Sequence, residues 1–119
     1  MGEIKLLDCT LRDGGYVNDW NFGHNNLVSV FERMVDANID IIEIGFLDDR
    51  RPFDINRSIM PDTDSVEKIY GGLARKQAMV VGMIDYGTCK LENIKPCSES
   101  FLDGIRAVSY THLRAHETV

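Results

Sequence analysis

The stretch LLDCTLRDGGY, residues 6–16, starts apolar and ends in an Arg–Asp pair followed by two glycines. Ile4-Lys5-Leu6-Leu7-Asp8 reads as a short strand, so Asp8, Arg12 and Asp13 fall where a strand gives way to a loop. In parallel α/β proteins functional groups gather at that C-terminal edge of the sheet. Glycine adopts positive φ and lets backbone come close to a ligand. Gly14-Gly15 is therefore expected to admit a bound molecule beside Arg12 and Asp13.

The rest of the chain follows the rhythm this start requires. Leu27, Val30, Phe31, Met34 and Val35 recur at the i, i+3, i+4, i+7, i+8 spacing of a helix face. Asn25 or Asn26 is expected to cap its start, and Asn38 to end it in the left-handed region. Ile39-Asp40-Ile41-Ile42-Glu43-Ile44-Gly45-Phe46 is nearly all apolar and β-branched, as in a parallel strand covered on both faces. A polar stretch, Leu47 to Thr63, follows. Asp64 and Glu67 then make a capping pair for a helix carrying Val66, Ile69 and Tyr70, which Gly71-Gly72 ends. Ala78 to Ile84 is a third buried strand terminating in Asp85, and a Pro-interrupted segment leads to a fourth strand from Leu102 to Arg106.

Alternating strands and helices predict an α/β chain of parallel βα units, about three and a half of them. Such units form an open sheet or a closed eight-stranded barrel, and the barrel takes about 250 residues. A chain of 119 residues cannot close one. The expectation is either a small open sheet or the N-terminal part of a (β/α)8 TIM barrel.

Composition narrows the function classes. The net charge is −6, and the single basic cluster, Arg50-Arg51, has Asp48 and Asp49 before it and Asp54 after it. Phosphate contacts need clustered Lys and Arg, so no nucleic-acid surface is expected. Cys9, Cys89 and Cys97 lack CxxC spacing and read as the reduced thiols of a cytoplasmic protein. No leader pattern and no long apolar run is present, so no membrane partner is expected.

Residues 107–119 stand apart as an expected non-native tail, leaving 1–106 as the domain. Val108 to Thr118 matches, at all eleven residues, an in-frame translation of a transposase-type sequencing adapter. His112 and His116 lie at i, i+4, a metal-binding spacing on a helix. The adapter reading gives them no metal role. His24, just before a helix, is expected to cap it or to lie on the surface.

The remaining chemistry lies at strand ends: Asp8 with Arg12-Asp13, Asp48, Asp85, and Glu43 inside the second strand. A carboxylate in a buried strand costs several kcal/mol unless it is paired, hydrogen-bonded or metal-bound. Glu43 is thus either a site residue or half of an ion pair with Arg12 or another arginine. Carboxylate oxygen suits Mg²⁺ or Mn²⁺, and guanidinium suits an oxyanion. Together they describe a site able to polarise a 2-oxo acid and hold its enolate.

Asp8-Cys9-Thr10-Leu11-Arg12-Asp13-Gly14 resembles the D-x-T-L-R-D-G signature of the metal-dependent aldolase and Claisen-synthase TIM barrels, the 3-hydroxy-3-methylglutaryl-CoA lyase-like family. Ile42-Glu43-Ile44-Gly45-Phe46 is similar to the family's second-strand I-E-[VI]-G-F segment, and the likeness is closest to 4-hydroxy-2-oxovalerate aldolase-like proteins. The resemblance implies a divalent-metal-dependent lyase working through a metal-held enolate, for example splitting a 4-hydroxy-2-oxo acid into pyruvate and an aldehyde. It implies Asp13 as the metal ligand, Arg12 as stabiliser of the enolate, and Glu43 as a residue of the site. The implied cofactor is Mn²⁺ or Mg²⁺ and the partner a small 2-oxo acid, with a homo-oligomeric parent left open. Tyr16 departs from the family: the hydroxy-oxovalerate aldolases carry there a histidine that transfers a proton. Tyrosine's ordinary pKa near 10 makes it a poor base, so Tyr16 is expected to donate a hydrogen bond or shuttle a proton.

The family completes its metal site with an H-x-H pair on a later strand, absent from this chain. The chain is therefore expected to be an inactive fragment whose exposed sheet edge favours aggregation. Two other readings stay open: a Claisen-type synthase joining acyl-CoA to a 2-oxo acid, and a non-catalytic α/β binding domain in which Arg12, Asp13 and Glu43 are an ion-pair network.

Overall fold

The computed structural model describes residues 4–85 and 87–108. The chain runs β1 (Leu7–Asp8), α1 (Thr10–Asp13), α2 (Gly15–Asn18), α3 (His24–Asp36), β2 (Ile41–Leu47), β3 (Ile59–Met60), α4 (Thr63–Tyr70), β4 (Met79–Asp85) and β5 (Gly104–Val108). Two short 3₁₀ turns, Leu91–Asn93 and Cys97–Glu99, fill the Pro-interrupted segment. Strand β5 carries Ala107 and Val108, whereas the rest of the expected tail, with His112 and His116, lies outside the described residues.

The sheet is parallel throughout, in the order β1-β2-β4-β5, with β3 also paired to β2. Strand order follows chain order with no reversal. Strand β2 has β4 along one edge, while β1 and β3 share the other: β1 pairs at Ile41 and Ile42, β3 at Phe46 and Leu47. The two-residue β3 lies inside the polar stretch, Leu47 to Thr63, in which the sequence suggested no strand.

Helix α3 starts differently from the expectation. Asn25 and Asn26 lie within the helix, and the cap position is Gly23, at φ 88°. The side-chain oxygen of Asn56, from a distant loop, accepts the His24 N–H at 3.0 Å and does the capping instead. The C-terminus follows the reading: Asn38 is left-handed at φ 62°. Its N–H donates to the Val35 carbonyl and that of Ile39 to the Met34 carbonyl, the pair of bonds of a Schellman motif. Helix α4 is capped by Asp62, which accepts Ser65 N–H at 2.8 Å, and not by Asp64, which pairs with Lys95. Two residues of register separate them, because Thr63 is already the first helical residue.

The sheet has two unlike faces. Ile42, Ile44, Val80 and Ile84 pack with Leu27, Phe31, Val66, Ile69 and Tyr70 in the main core. On the other face Phe46, Ile59 and Met83 form a smaller cluster, flanked by Trp20 and Val108. Strict alternation along β2 would put Phe46 on the face of Ile44. A register shift between Glu43 and Phe46 breaks it, with Gly45 at φ 150°. A Cβ on Gly45 would sit 2.0 Å from the Ser58 carbonyl oxygen, so only glycine lets β3 approach here. The bulge places Phe46 on the same face as Glu43, and that face carries the site.

Candidate functional site

Glu43, in the middle of β2, is wholly buried. Its Oε1 accepts Arg12 Nε at 2.5 Å and its Oε2 accepts Arg106 Nε at 2.7 Å. Arg106 Nη2 donates to Oε1 as well, at 3.1 Å, and lies 3.4 Å from the sulfur of Met83, its neighbour across the β4–β5 ladder. Burial alone would raise the Glu43 pKa, but hydrogen bonds from Arg106 and Arg12 outweigh it and hold the carboxyl below its usual range. Burial likewise opposes the charge of Arg12, and Glu43 more than restores it, raising that pKa. Two guanidiniums satisfying one carboxylate is the arrangement that makes an interior charge tolerable.

Arg12 follows β1 in the single turn of α1, and several backbone bonds hold that turn. Asp8 side-chain oxygens accept the Thr10 N–H at 2.8 Å and its hydroxyl at 3.1 Å. The Trp20 indole N–H donates to the Arg12 carbonyl at 2.7 Å, and the Ser58 hydroxyl to the Leu11 carbonyl at 2.6 Å. With its Nε committed to Glu43, Arg12 turns Nη1 toward Asp13, 3.2 Å away. The Arg12 side chain is 12% exposed and that of Asp13 66% exposed.

The glycines have a packing role in the loop. Gly14 has φ −63°, in the ordinary helical region. A Cβ on Gly15 would lie 1.8 Å from Trp20 Cδ1, so the missing side chain makes room for the indole. A Cβ on Gly14 would lie 2.5 Å from the Thr10 carbonyl oxygen. Tyr16, 56% exposed, stands edge-on to Trp20 and Phe46 with ring centroids at 4.9 and 5.9 Å.

Beside these aromatics a cleft of about 290 Å³ lies at the C-terminal ends of β2 and β4, lined by Tyr16, Trp20, Phe46, Asp48, Arg51 and Asp85 among others. Both of its arginines are paired, Arg50 with a flanking carboxylate and Arg51 with the distant Asp19. Arg50 is bidentate to Asp48 at 2.9 and 2.8 Å and lowers its pKa, and Arg51 donates to Asp19 at 2.8 Å. Asp85 is held through its backbone N–H, which donates to the Thr88 hydroxyl at 3.1 Å. Its Oδ1 is buried without a hydrogen-bond partner among the described residues, and burial pushes the Asp85 pKa up.

The structure thus brings Arg12, Asp13 and Glu43 together and places Tyr16 in the adjoining cleft. Sequence reasoning missed Arg106 as the second partner of Glu43, having offered an ion pair with Arg12 or another arginine as one of two readings. It also missed Trp20, whose signal was a lone tryptophan five residues after a glycine. Among the described residues no three His, Cys, Asp or Glu side chains are grouped to hold a metal ion. Asp13 supplies one carboxylate, so these residues alone do not make a metal site. Cys9, Cys89 and Cys97 are free thiols, and no helix among the described residues is long and apolar enough to cross a membrane. No family model matches the chain, and no curated protein or solved structure matches it significantly.

Proposed function

We propose that residues 1–106 are the N-terminal part of a TIM-barrel carbon–carbon lyase that acts next to a 2-oxo acid. The sequential parallel order β1-β2-β4-β5 supports the barrel, since a doubly wound sheet reverses its strand order at a switch point. The observation that carries the chemistry is the oriented Arg12. Buried Glu43 fixes its Nε edge, and its Nη1 edge is presented beside exposed Asp13 at the end of β1.

In this reading the bond between C3 and C4 of a 4-hydroxy-2-oxo acid breaks as the C4 hydroxyl loses its proton. The electron pair passes to an enolate, which takes a proton at C3 to give pyruvate, and C4 leaves as an aldehyde. Arg12 offers fixed N–H donors to the developing oxyanion, the form of stabilisation that gains most from preorganisation. Glu43 acts through Arg12, as a positioning residue. Tyr16 provides a hydroxyl at the edge of the same region. Asp13 would supply one carboxylate toward Mg²⁺ or Mn²⁺, and the metal when bound would supply Lewis acidity toward a keto oxygen; the remaining ligands are not among the described residues.

One observation favours a second reading. Both Glu43 oxygens accept hydrogen bonds from arginine, as in a structural ion-pair network of a non-catalytic α/β binding domain. Titration of the full-length protein with Mn²⁺, followed by the loss of its free-ion spin-resonance signal, separates the two. The lyase reading expects binding that Asp13→Asn weakens at least tenfold. Binding indifferent to Asp13, or none, favours the network.

A further inference from the structure

The sheet face that carries Glu43 is only partly covered, and its uncovered part is apolar. Leu7, Ile41 and Met79 are partners in register on β1, β2 and β4. Residues paired in this way point to one face, and Ile41 lies two residues before Glu43, so the row shares the face of Glu43. Leu7 is 48% exposed and Met79 47% exposed. Helices α3 and α4 pack on the opposite face, against Ile42, Ile44 and Val80. Purely parallel sheets are normally covered on both faces.

The two edges are open in the same sense. Strand β5 ends the path β1-β2-β4-β5 and pairs with β4 alone among the described residues. Its five pairs run without a register shift, and Gly104–Val108 holds neither Pro nor Lys. Its one charge, on Arg106, is turned to Glu43. Bulges, prolines and outward charges are the devices by which edge strands refuse a neighbour, and β5 has none of them. Beside β1, Ile4 and Leu6 are 92% and 58% exposed.

A two-fold axis along the strand direction answers all of these features together. Rotation about it keeps every strand parallel and brings β1 of each copy beside β5 of the other. The two sheets then close as eight parallel strands, with the row Leu7-Ile41-Met79 facing its own copy in the interior. Charge does not oppose the approach, because Arg12 and Arg106 balance Glu43 and Asp13 at the middle of the face. A contact through one edge alone would leave an edge open in every copy and grow into filaments.

We propose that the chain associates with a second copy of itself through this face, β5 of one copy adding beside β1 of the other. Closure at eight strands rests on the barrel reading above, whereas the exposed row and the open edges do not.

Sedimentation velocity of the 119-residue chain, from about 1 to about 100 μM, reads the outcome. The expected species has twice the 13.5 kDa mass of the chain, with nothing larger. Met79→Lys and Leu7→Lys each place an ammonium in the row and are expected to weaken the dimer about tenfold or more. Met79→Leu, which stays apolar, is expected to keep it. Leu91→Lys, at a 79% exposed residue outside the row, is expected to change nothing. Circular dichroism checks the fold of each variant. If the lysine variants do not fold, the wild type carries the test: hydrogen exchange at residues 4–8 and 104–108 is expected to slow as concentration rises, with α3 unchanged.

A monomer at every concentration overturns the proposal, as does a series of species that grows with concentration. A dimer indifferent to Met79→Lys, one weakened equally by Leu91→Lys, or one whose edge strands exchange no more slowly overturns it too. All of these outcomes report association alone. Their failure leaves the lyase reading to the Mn²⁺ titration of the full-length protein, and failure of that titration leaves the dimer standing.

Discussion

Arg12 Nε lies 2.5 Å from Oε1 of Glu43, a residue 31 positions away in sequence and without solvent exposure. The contact joins the turn after β1 to the middle of β2, and Arg106 of β5 closes on the same carboxylate from the other side. Three elements thus meet at one buried charge, which ties the fold to the geometry of the site.

Glu43→Gln removes that charge and leaves two guanidiniums facing an amide. Breaking a buried pair by neutralising one partner costs ~3 kcal/mol or more. The urea midpoint is expected to fall by that amount of free energy with the slope unchanged. A variant as stable as the parent would show that the two arginines find solvent or other partners at no loss.

The same cluster sets a pH window. The folded Glu43 pKa is lowered relative to an unfolded value of about 4.3, so its stabilisation is complete above that value and is lost as pH falls through the folded one. Asp48, lowered by Arg50, behaves alike. Asp85 is opposite in sign: its pKa is raised, so its contribution is present at low pH and lost as pH rises through the folded value. The stability difference between wild type and Glu43→Gln should be level from about pH 5 to 8 and shrink below. A difference that grows on acidification contradicts the assignment.

Gly15→Ala drives a methyl into the space of the Trp20 indole, where a Cβ would stand 1.8 Å from Cδ1. The ring must leave its bond to the Arg12 carbonyl. A loss of ~1–3 kcal/mol is expected from overpacking, with a red shift of the tryptophan emission. Gly72→Ala is the control: a Cβ there meets nothing within 4 Å. Its effect should stay within ~0.5 kcal/mol.

Much of this arrangement was legible in the residues. A carboxylate inside Ile41-Ile42-Glu43-Ile44 had to be paired, hydrogen-bonded or metal-bound, and an arginine was one of the partners open to it. The helix face from Leu27 to Val35 and the left-handed Asn38 followed from periodicity and cap chemistry. What the sequence hid depends on long-range contacts. Strand β3 is two residues long and owes its existence to the β2 edge left vacant above β1. The bulge at Gly45, which turns Phe46 toward the site, answers to the Ser58 backbone and not to any local pattern. The neighbour that Gly15 makes room for, Trp20, was hidden because it returns through two left-handed residues, Asp19 and Trp20 itself.

The thiols should separate by reactivity. Cys89 is buried, and burial, aided by Asp49 and Asp48, pushes its pKa up to about 11. Cys97 is exposed. Only the thiolate attacks alkylating agents. Iodoacetamide at neutral pH is expected to label Cys97 and to spare Cys89 until the chain is unfolded, as read by peptide mass. Fast labelling of Cys89 in the native protein would contradict its packing.

The role proposed for Arg12, held by Glu43, is to stabilise the enolate of a 2-oxo acid. Proton exchange isolates that step from aldehyde chemistry. The full-length protein, with Mn²⁺ in D₂O, should catalyse deuterium incorporation into the pyruvate methyl group, followed by nuclear magnetic resonance. Arg12→Lys, which keeps the charge but loses the planar fork, should slow exchange by about 10²-fold or more. Exchange equally fast in Arg12→Lys, or absent from the wild type, would contradict the account.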